Sequence, residues 1–266
     1  MTTVLCVPQW QGSCSVNAPR LAVGARRSAG LVRADRLVTV PVLDSGGDLD
    51  GGVRALDVLL ENLRLTREAL DGIDDAVITV GGDCGVDLAP IAAARARYGN
   101  RLTVLWIDAH PDLYTPQTLP SGAFHGMVLR TLLGEGPAPL VPELPLKPEQ
   151  VIIAGLRAFE PDVREQIEAY IDRAGIRCYG VEDFERAADG ITGPVYVHVD
   201  LDVLDPAAFG STCYPEGGVA PQRVIALVLR LDNVVGAAIT EHAPADEFTD
   251  AGEADVIRRL AAALPL

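Results

Sequence analysis

The sequence predicts an α/β fold: three α/β/α layers around a mainly parallel sheet of about eight strands. Two observations lead there. Short apolar, β-branched runs recur along the chain, mostly continuous rather than alternating, as in strands buried on both faces of a parallel sheet. Segments with helical period lie between them, and strand–helix alternation is the mark of layered α/β architecture. A length of 266 residues with 48% hydrophobic content supplies a large core without demanding a second domain, so one domain over 1–266 is expected.

In chain order, the first strand is TVLCV (3–7) and the second LVTVPVL (37–43). SGGDLDGG (45–52) is a loop leading to the helix DVLLENLRLTREALDGI (57–73). AVITV (76–80), the helix LAPIAAARARYG (88–99) and LTVLWI (102–107) follow. GPAPLVPELPLKPEQ (136–150) is Pro-rich, a surface loop between layers. QVIIAGL (150–156), the helix DVREQIEAYIDRAG (162–175), GIRCYG (175–180) and VYVHVD (195–200) continue the alternation. PQRVIALVLRL (221–231), VVGAAIT (234–240) and a last helix in EADVIRRLAAAL (253–264) complete it.

A net charge of −15 repels phosphate backbones and excludes nucleic acid as a partner. The five cysteines, Cys6, Cys14, Cys84, Cys178 and Cys213, fit neither a disulfide framework nor CxxC metal spacing. The opening MTTVLCVPQW has no basic segment followed by a long apolar stretch, so no secretory leader is expected, and no apolar run is long enough to span a membrane. A cytoplasmic protein is expected.

Sites in open α/β sheets form at the carboxyl ends of strands. GGDC follows AVITV, DAHPD follows LTVLWI, DLDVLDP overlaps the end of VYVHVD, and EHAP follows VVGAAIT. On extended backbone, Asp108, His110 and Asp112 share one face, as do Asp200 and Asp202. Four carboxylates and an imidazole gathered at buried strand ends repel one another unless a cation neutralises them. Two divalent ions resolve this, and oxygen donors with imidazole suit Mn²⁺.

GGDCG, DAHPD, SGAFHG and DLDVLDP, in that order, resemble the motif set of the arginase–agmatinase (ureohydrolase) family. The resemblance runs from about residue 76 to residue 244 and implies a three-layer enzyme with two Mn²⁺ ions per chain. It implies Asp108, His110, Asp112, Asp200 and Asp202 as metal ligands, His125 as proton shuttle and Glu241 as the group that holds a guanidinium. The family has a histidine after GGD; here Cys84 stands there. Three roles are open to Cys84: a metal-bound thiolate, a small buried residue, or a nucleophile. A metal pair readily deprotonates a coordinating thiol, which favours the first. A branch of the family acting on Nω-hydroxy-L-arginine in antibiotic biosynthesis carries the same exchange.

The resemblance also implies a small guanidino amino acid as substrate. Arginases often assemble through a C-terminal extension, and this sequence stops soon after its last helix, so the resemblance slightly favours a monomer over a homo-oligomer. Ser121 matches a carboxylate-contacting serine, and Glu160 in GLRAFEP takes the place of the aspartate that binds the α-amino group. Tyr114, Leu119 and Ala123 replace an asparagine, a threonine and an asparagine, so the carboxylate contacts are rebuilt, with Tyr114 offering a hydroxyl. Tyr214, beside Cys213 in the loop after DLDVLDP, is a further substrate contact. His198 is expected buried and hydrogen-bonded behind the ligands, and His242 either at the cleft rim or in a surface loop. The expected reaction is hydrolysis of hydroxyarginine to hydroxyurea and ornithine. An ordinary arginase, an agmatinase-like hydrolase and a catalytically weak binding relative are the alternatives. Single-zinc deacetylase-like relatives of the fold do not account for Asp200 and Asp202 paired with Glu241.

Overall fold

The computed structural model describes residues 1–214, 217–245 and 251–265. Strand β1 (Thr2–Val7) leads to α1 (Pro19–Leu31), β2 (Arg36–Thr39), the short pair β3 (Leu49–Asp50) and β4 (Val53–Arg54), and α2 (Leu56–Asp71). Next come β5 (Ala76–Gly81), α3 (Leu88–Tyr98), β6 (Thr103–Ile107), α4 (Val128–Leu132), β7 (Val151–Ala154) and α5 (Arg164–Ala174). The chain continues through β8 (Arg177–Tyr179), β9 (Val195–Asp200), α6 (Pro221–Val228), β10 (Val234–Thr240) and α7 (Ala251–Ala263). Eight strands form one parallel sheet in the order β2-β1-β5-β10-β9-β6-β7-β8.

Side-chain alternation along the central strands divides the core in two. Val195, Val197 and Val199 of β9, with Leu105 and Ile107 of β6, face α1, α6 and α7 through Ala25, Leu227, Ile257 and Leu260. Tyr196 of β9, with Val104 and Trp106 of β6, faces α2 to α5 through Leu59, Ile91, Leu129 and Ile171. Both faces of each central strand are therefore covered, and this is why these runs read as continuously apolar.

Two sequence expectations are corrected, and one helix is added that they did not include. The run 37–43 forms only a four-residue edge strand whose side chains are largely exposed, because β2 pairs with β1 alone. The loop 45–52 contributes to an antiparallel pair, Leu49 with Arg54 and Asp50 with Val53. PRLAVGARRSAGL forms α1, which interior glycines and arginines obscure in the sequence.

Candidate active site

Strands β5, β10, β9 and β6 are neighbours in the sheet, so their carboxyl ends bring GGDC, EHAP, DLD and DAHPD together. After β5 the chain turns at Gly82, where a Cβ would lie 1.8 Å from the Gln9 carbonyl oxygen, so only glycine fits. Asp83 accepts hydrogen bonds from Gln9 Nε2 (3.0 Å), the Gly12 N–H (2.9 Å) and the Gly85 N–H (2.9 Å). Burial, and then the charge of Glu241, raise its pKa to about 6. Asp83 thereby ties the loop after β1 to the turn that presents Cys84.

Cys84 is buried. Its thiol donates to Asp200 Oδ2 at 3.1 Å and lies 3.3 Å from Thr240 Oγ1, while its N–H donates to Glu241 Oε1 at 3.1 Å. Burial, followed by the charges of Asp200 and Glu241, pushes the thiol well above its ordinary pKa, so without a cation Cys84 is a neutral donor.

The Trp106 indole donates to Asp108 Oδ2 (2.9 Å), and the His110 N–H donates to Asp108 Oδ1 (2.6 Å). His110 Nδ1 lies 3.0 Å from Asp202 Oδ2 and 3.6 Å from Asp108 Oδ1. Burial alone would depress a histidine, but Asp202 and Asp108 raise His110 well above its ordinary pKa. Burial likewise opposes the Asp108 carboxylate, yet His110 and His198 hold it below the usual range.

The extended-backbone expectation fails beyond the strand ends. Asp112 has φ 48°, a left-handed conformation that costs an aspartate of order 1–3 kcal/mol and recurs at functional sites. Asp202 sits in the tight turn Leu201–Val203, where its N–H donates to Asp200 Oδ1 at 2.8 Å. Turns, not pleating, bring these two carboxylates to the others.

Donor atoms gather in three groups, each with its atoms within 4.8 Å of one another: Asp108, His110 and Asp202; Cys84, Asp200 and Glu241; and Cys84, Asp108 and His198. Asp202 Oδ1, Glu241 Oε2 and His198 Nε2 are buried with no hydrogen-bond partner in the protein. Burial raises Asp200 and Asp112 well above the ordinary carboxyl range, and repulsion from Asp108, Asp202 and Glu241 adds to it. Buried polar atoms are ordinarily satisfied, and of these Asp202 Oδ1 and His198 Nε2 belong to groups where divalent cations would fill them, while Glu241 Oε2 is open to a ligand. The residues present fit a metal centre.

The arginase-family model matches residues 25–264. The chain belongs to the arginase family.

An arginase from Staphylococcus aureus (strain COL) is 33% identical over 170 residues, covering 58% of this chain and 56% of the relative. The chain thus spans little more than half of that relative's length in the match. The N(omega)-hydroxy-L-arginine amidinohydrolase of Streptomyces lavendulae is 29% identical over 204 residues, covering 73% of this chain and 70% of that protein. The Entamoeba histolytica arginase structure with L-ornithine superposes with TM-score 0.85 at 23% identity, over 99% of this chain and 97% of the other, which establishes the shared fold.

Within this arginase-family fold, a cavity of about 340 Å³ opens over the cluster, lined by His110, Asp112, Asp200 and Asp202. Tyr114, Ser121, His125, Glu160 and Tyr214 line it too. His125 Nδ1 lies 3.1 Å from Glu241 Oε1. Burial opposes a charged His125, but the Glu241 carboxylate outweighs it and lifts its pKa. Glu241 has φ 66°, so the second non-glycine left-handed residue at the site also carries a carboxylate.

At the far end, the Tyr114 hydroxyl accepts the Glu160 N–H at 2.8 Å, leaving its own proton to face a ligand. Burial pushes that phenol up to about 12, so it stays protonated. Ser121 is half-buried and accepts only a long bond, 3.4 Å, from the Ala123 N–H, while Glu160 is exposed. The Tyr214 ring centroid stands 5.6 Å from that of His125 and 6.0 Å from that of His110.

His242 matches neither sequence expectation: it is buried beneath α1, with Nδ1 2.8 Å from Ser28 Oγ, and burial lowers its pKa to about 4. Sequence reasoning passed over Asp87, Trp106 and Thr240. Trp106 had a legible signal, since it precedes Asp108 by two residues and shares its face. Arg157 was also missed; it donates to the Asp202 carbonyl at 2.8 Å and lines the cavity.

Proposed function

We propose that this chain is a metal-dependent amidinohydrolase of guanidino amino acids, holding two Mn²⁺ ions and preferring Nω-hydroxy-L-arginine, which it cleaves to hydroxyurea and L-ornithine. The observation that carries this is the buried donor cluster of Cys84, Asp108, His110, Asp200 and Asp202 beneath a cavity with His125 and Glu241 on its wall. Asp112 joins the ligand set from its left-handed turn. These residues would hold the metal pair, which when bound would lower the pKa of an attacking water and neutralise the clustered carboxylates.

The remaining work falls to side chains. Glu241 Oε1 is already held by the Cys84 N–H and His125, so Oε2 is free to accept the N–H bonds of a guanidinium. That pairing sets the reactive carbon above the cluster. His125, whose protonated form the Glu241 carboxylate favours, delivers a proton to the departing amine. Asp112 orients the attacking water and accepts its proton. Tyr114, Ser121, Glu160 and Tyr214 bind the amino-acid end, where the Tyr114 proton and the Ser121 hydroxyl suit a carboxylate and Glu160 suits an ammonium.

The preference for hydroxyarginine is supported by Cys84 and by the likeness to the Streptomyces lavendulae protein. A thiolate softens the metal site and weakens its Lewis acidity, which an electron-poor hydroxyguanidine tolerates better than arginine does. The hydroxyl also offers one more oxygen to a donor of the site, and a donor left unpaired by arginine discriminates against it. Steady-state assays of manganese-loaded enzyme should give a higher kcat/KM for hydroxyarginine. A ratio near unity, or arginine ahead, removes the hydroxyarginine assignment; no hydrolysis of either, or of agmatine, removes the amidinohydrolase.

A further inference from the structure

We infer that His198 is itself a metal ligand, completing with Cys84 Sγ and an Asp108 oxygen a nitrogen–sulfur–oxygen donor set for one of the two ions. This deepens the two-metal reading proposed above and rests on it. His198 lies on β9 two residues before Asp200, one pleat deeper in the sheet, and is fully buried. One donor atom each from Cys84, Asp108 and His198 lie within 4.8 Å of one another. Metal–ligand bonds of about 2.0–2.3 Å place two donors of one ion up to roughly 4.6 Å apart, so small adjustments bring all three onto a single cation.

The ring is prepared for this role. Nδ1 lies 2.8 Å from Asp87 Oδ2, and Asp87 Oδ1 accepts the Tyr196 hydroxyl at 2.5 Å. An imidazole that donates Nδ1–H to a carboxylate presents a lone pair at Nε2, the arrangement found behind metal-bound histidines. Nε2 of His198 is buried and has no hydrogen-bond partner. Trp106 stacks on the ring at 3.5 Å between centroids and 6° between planes, and the same indole donates to Asp108. One aromatic residue thus holds two members of the donor set in place.

The arrangement answers the question raised by Cys84. A cysteine after GGD removes a nitrogen donor and is shorter than histidine, and an imidazole reaches the same region from beneath, on β9. The ion in the Cys84–His198–Asp108 group meets softer donors than the ion served by Asp108, His110 and Asp202, and therefore favours Co²⁺ or Zn²⁺ over Mn²⁺ more strongly.

The test uses the 266-residue protein loaded with Co²⁺. X-ray absorption should count about one imidazole per ion if His110 and His198 both ligate, and about half that if His110 ligates alone. A thiolate-to-cobalt absorption band should accompany it and vanish in Cys84→Ser. His198→Gln, whose amide can still donate to Asp87, should lose about half of the bound cobalt. The wild-type imidazole count stands even if that variant misfolds. Half an imidazole per ion in the wild type, or full cobalt content in folded His198→Gln, overturns the ligand assignment while leaving a two-metal hydrolase intact. A wild-type protein that binds no cobalt and hydrolyses no guanidine overturns both.

Discussion

Cys84 shows how one side chain is defined by its neighbours. Its sulfur lies 3.1 Å from Asp200 Oδ2 and 3.3 Å from Thr240 Oγ1, and within 4.8 Å of a His198 nitrogen, so little room remains around it. Simple restoration of the family residue, Cys84→His, therefore meets an occupied site. The metal-free variant should be less stable than wild type by about 1–3 kcal/mol, the usual cost of overfilling a packed interior. Urea denaturation should show a lower midpoint at unchanged slope. An unchanged midpoint would mean that the second imidazole is accommodated without displacing His198.

At the scale of elements, α1 is the layer that roofs the end of β10. A Cβ on Gly24 would lie 1.7 Å from the His242 carbonyl oxygen, so the helix backbone rests directly on the segment that follows Glu241. Gly24→Ala should cost at least about 2 kcal/mol, because backbone on both sides must move. Gly30 in the same helix has nothing within 4 Å of its would-be Cβ. Gly30→Ala should instead stabilise by about 0.4–1 kcal/mol, chiefly by restricting the unfolded chain. Thermal melts of the two variants read this contrast, and equal effects would refute the close approach. The helix was illegible in the sequence for the same reason that it packs closely: Gly24 and Gly30 lower helical propensity locally, and only the tertiary contact explains the first of them. Strand β2 erred in the other direction. Its run is apolar enough for a core strand, but its place at the sheet edge leaves Leu37 exposed.

For the whole molecule, the clustered carboxylates make stability depend jointly on metal and pH. Burial raises Asp112, Asp200 and Asp202 in the fold, and repulsion from neighbouring carboxylates adds to the rise. A carboxyl with a raised folded pKa binds more protons folded than unfolded, so the metal-free fold loses stability as pH rises through the raised values. Bound cations offset that repulsion and stabilise the folded state by mass action. Chelation should therefore lower Tm only slightly near about pH 5 and much more near about pH 8. A chelation effect independent of pH would show that the carboxylates are not mutually destabilised without metal. The described residues contain no helix long and apolar enough to cross a membrane.

Strand-end chemistry was legible because buried parallel strands announce themselves as apolar runs, and the polar residues that interrupt each run stand out. Composition and pattern alone therefore determined the layered α/β class, the eight runs that became the sheet and the residues worth inspecting. Convergence was decided elsewhere. The crossovers place β5, β10, β9 and β6 side by side, although they are far apart in sequence. Left-handed turns aim Asp112 and Glu241, the Glu160 N–H occupies the Tyr114 oxygen, and a helix from the start of the chain buries His242. Periodicity reports the local backbone and the face that each residue takes on its own strand. Which faces meet, and which buried atoms are left without a partner, depends on packing between distant segments, and that only the tertiary structure decides.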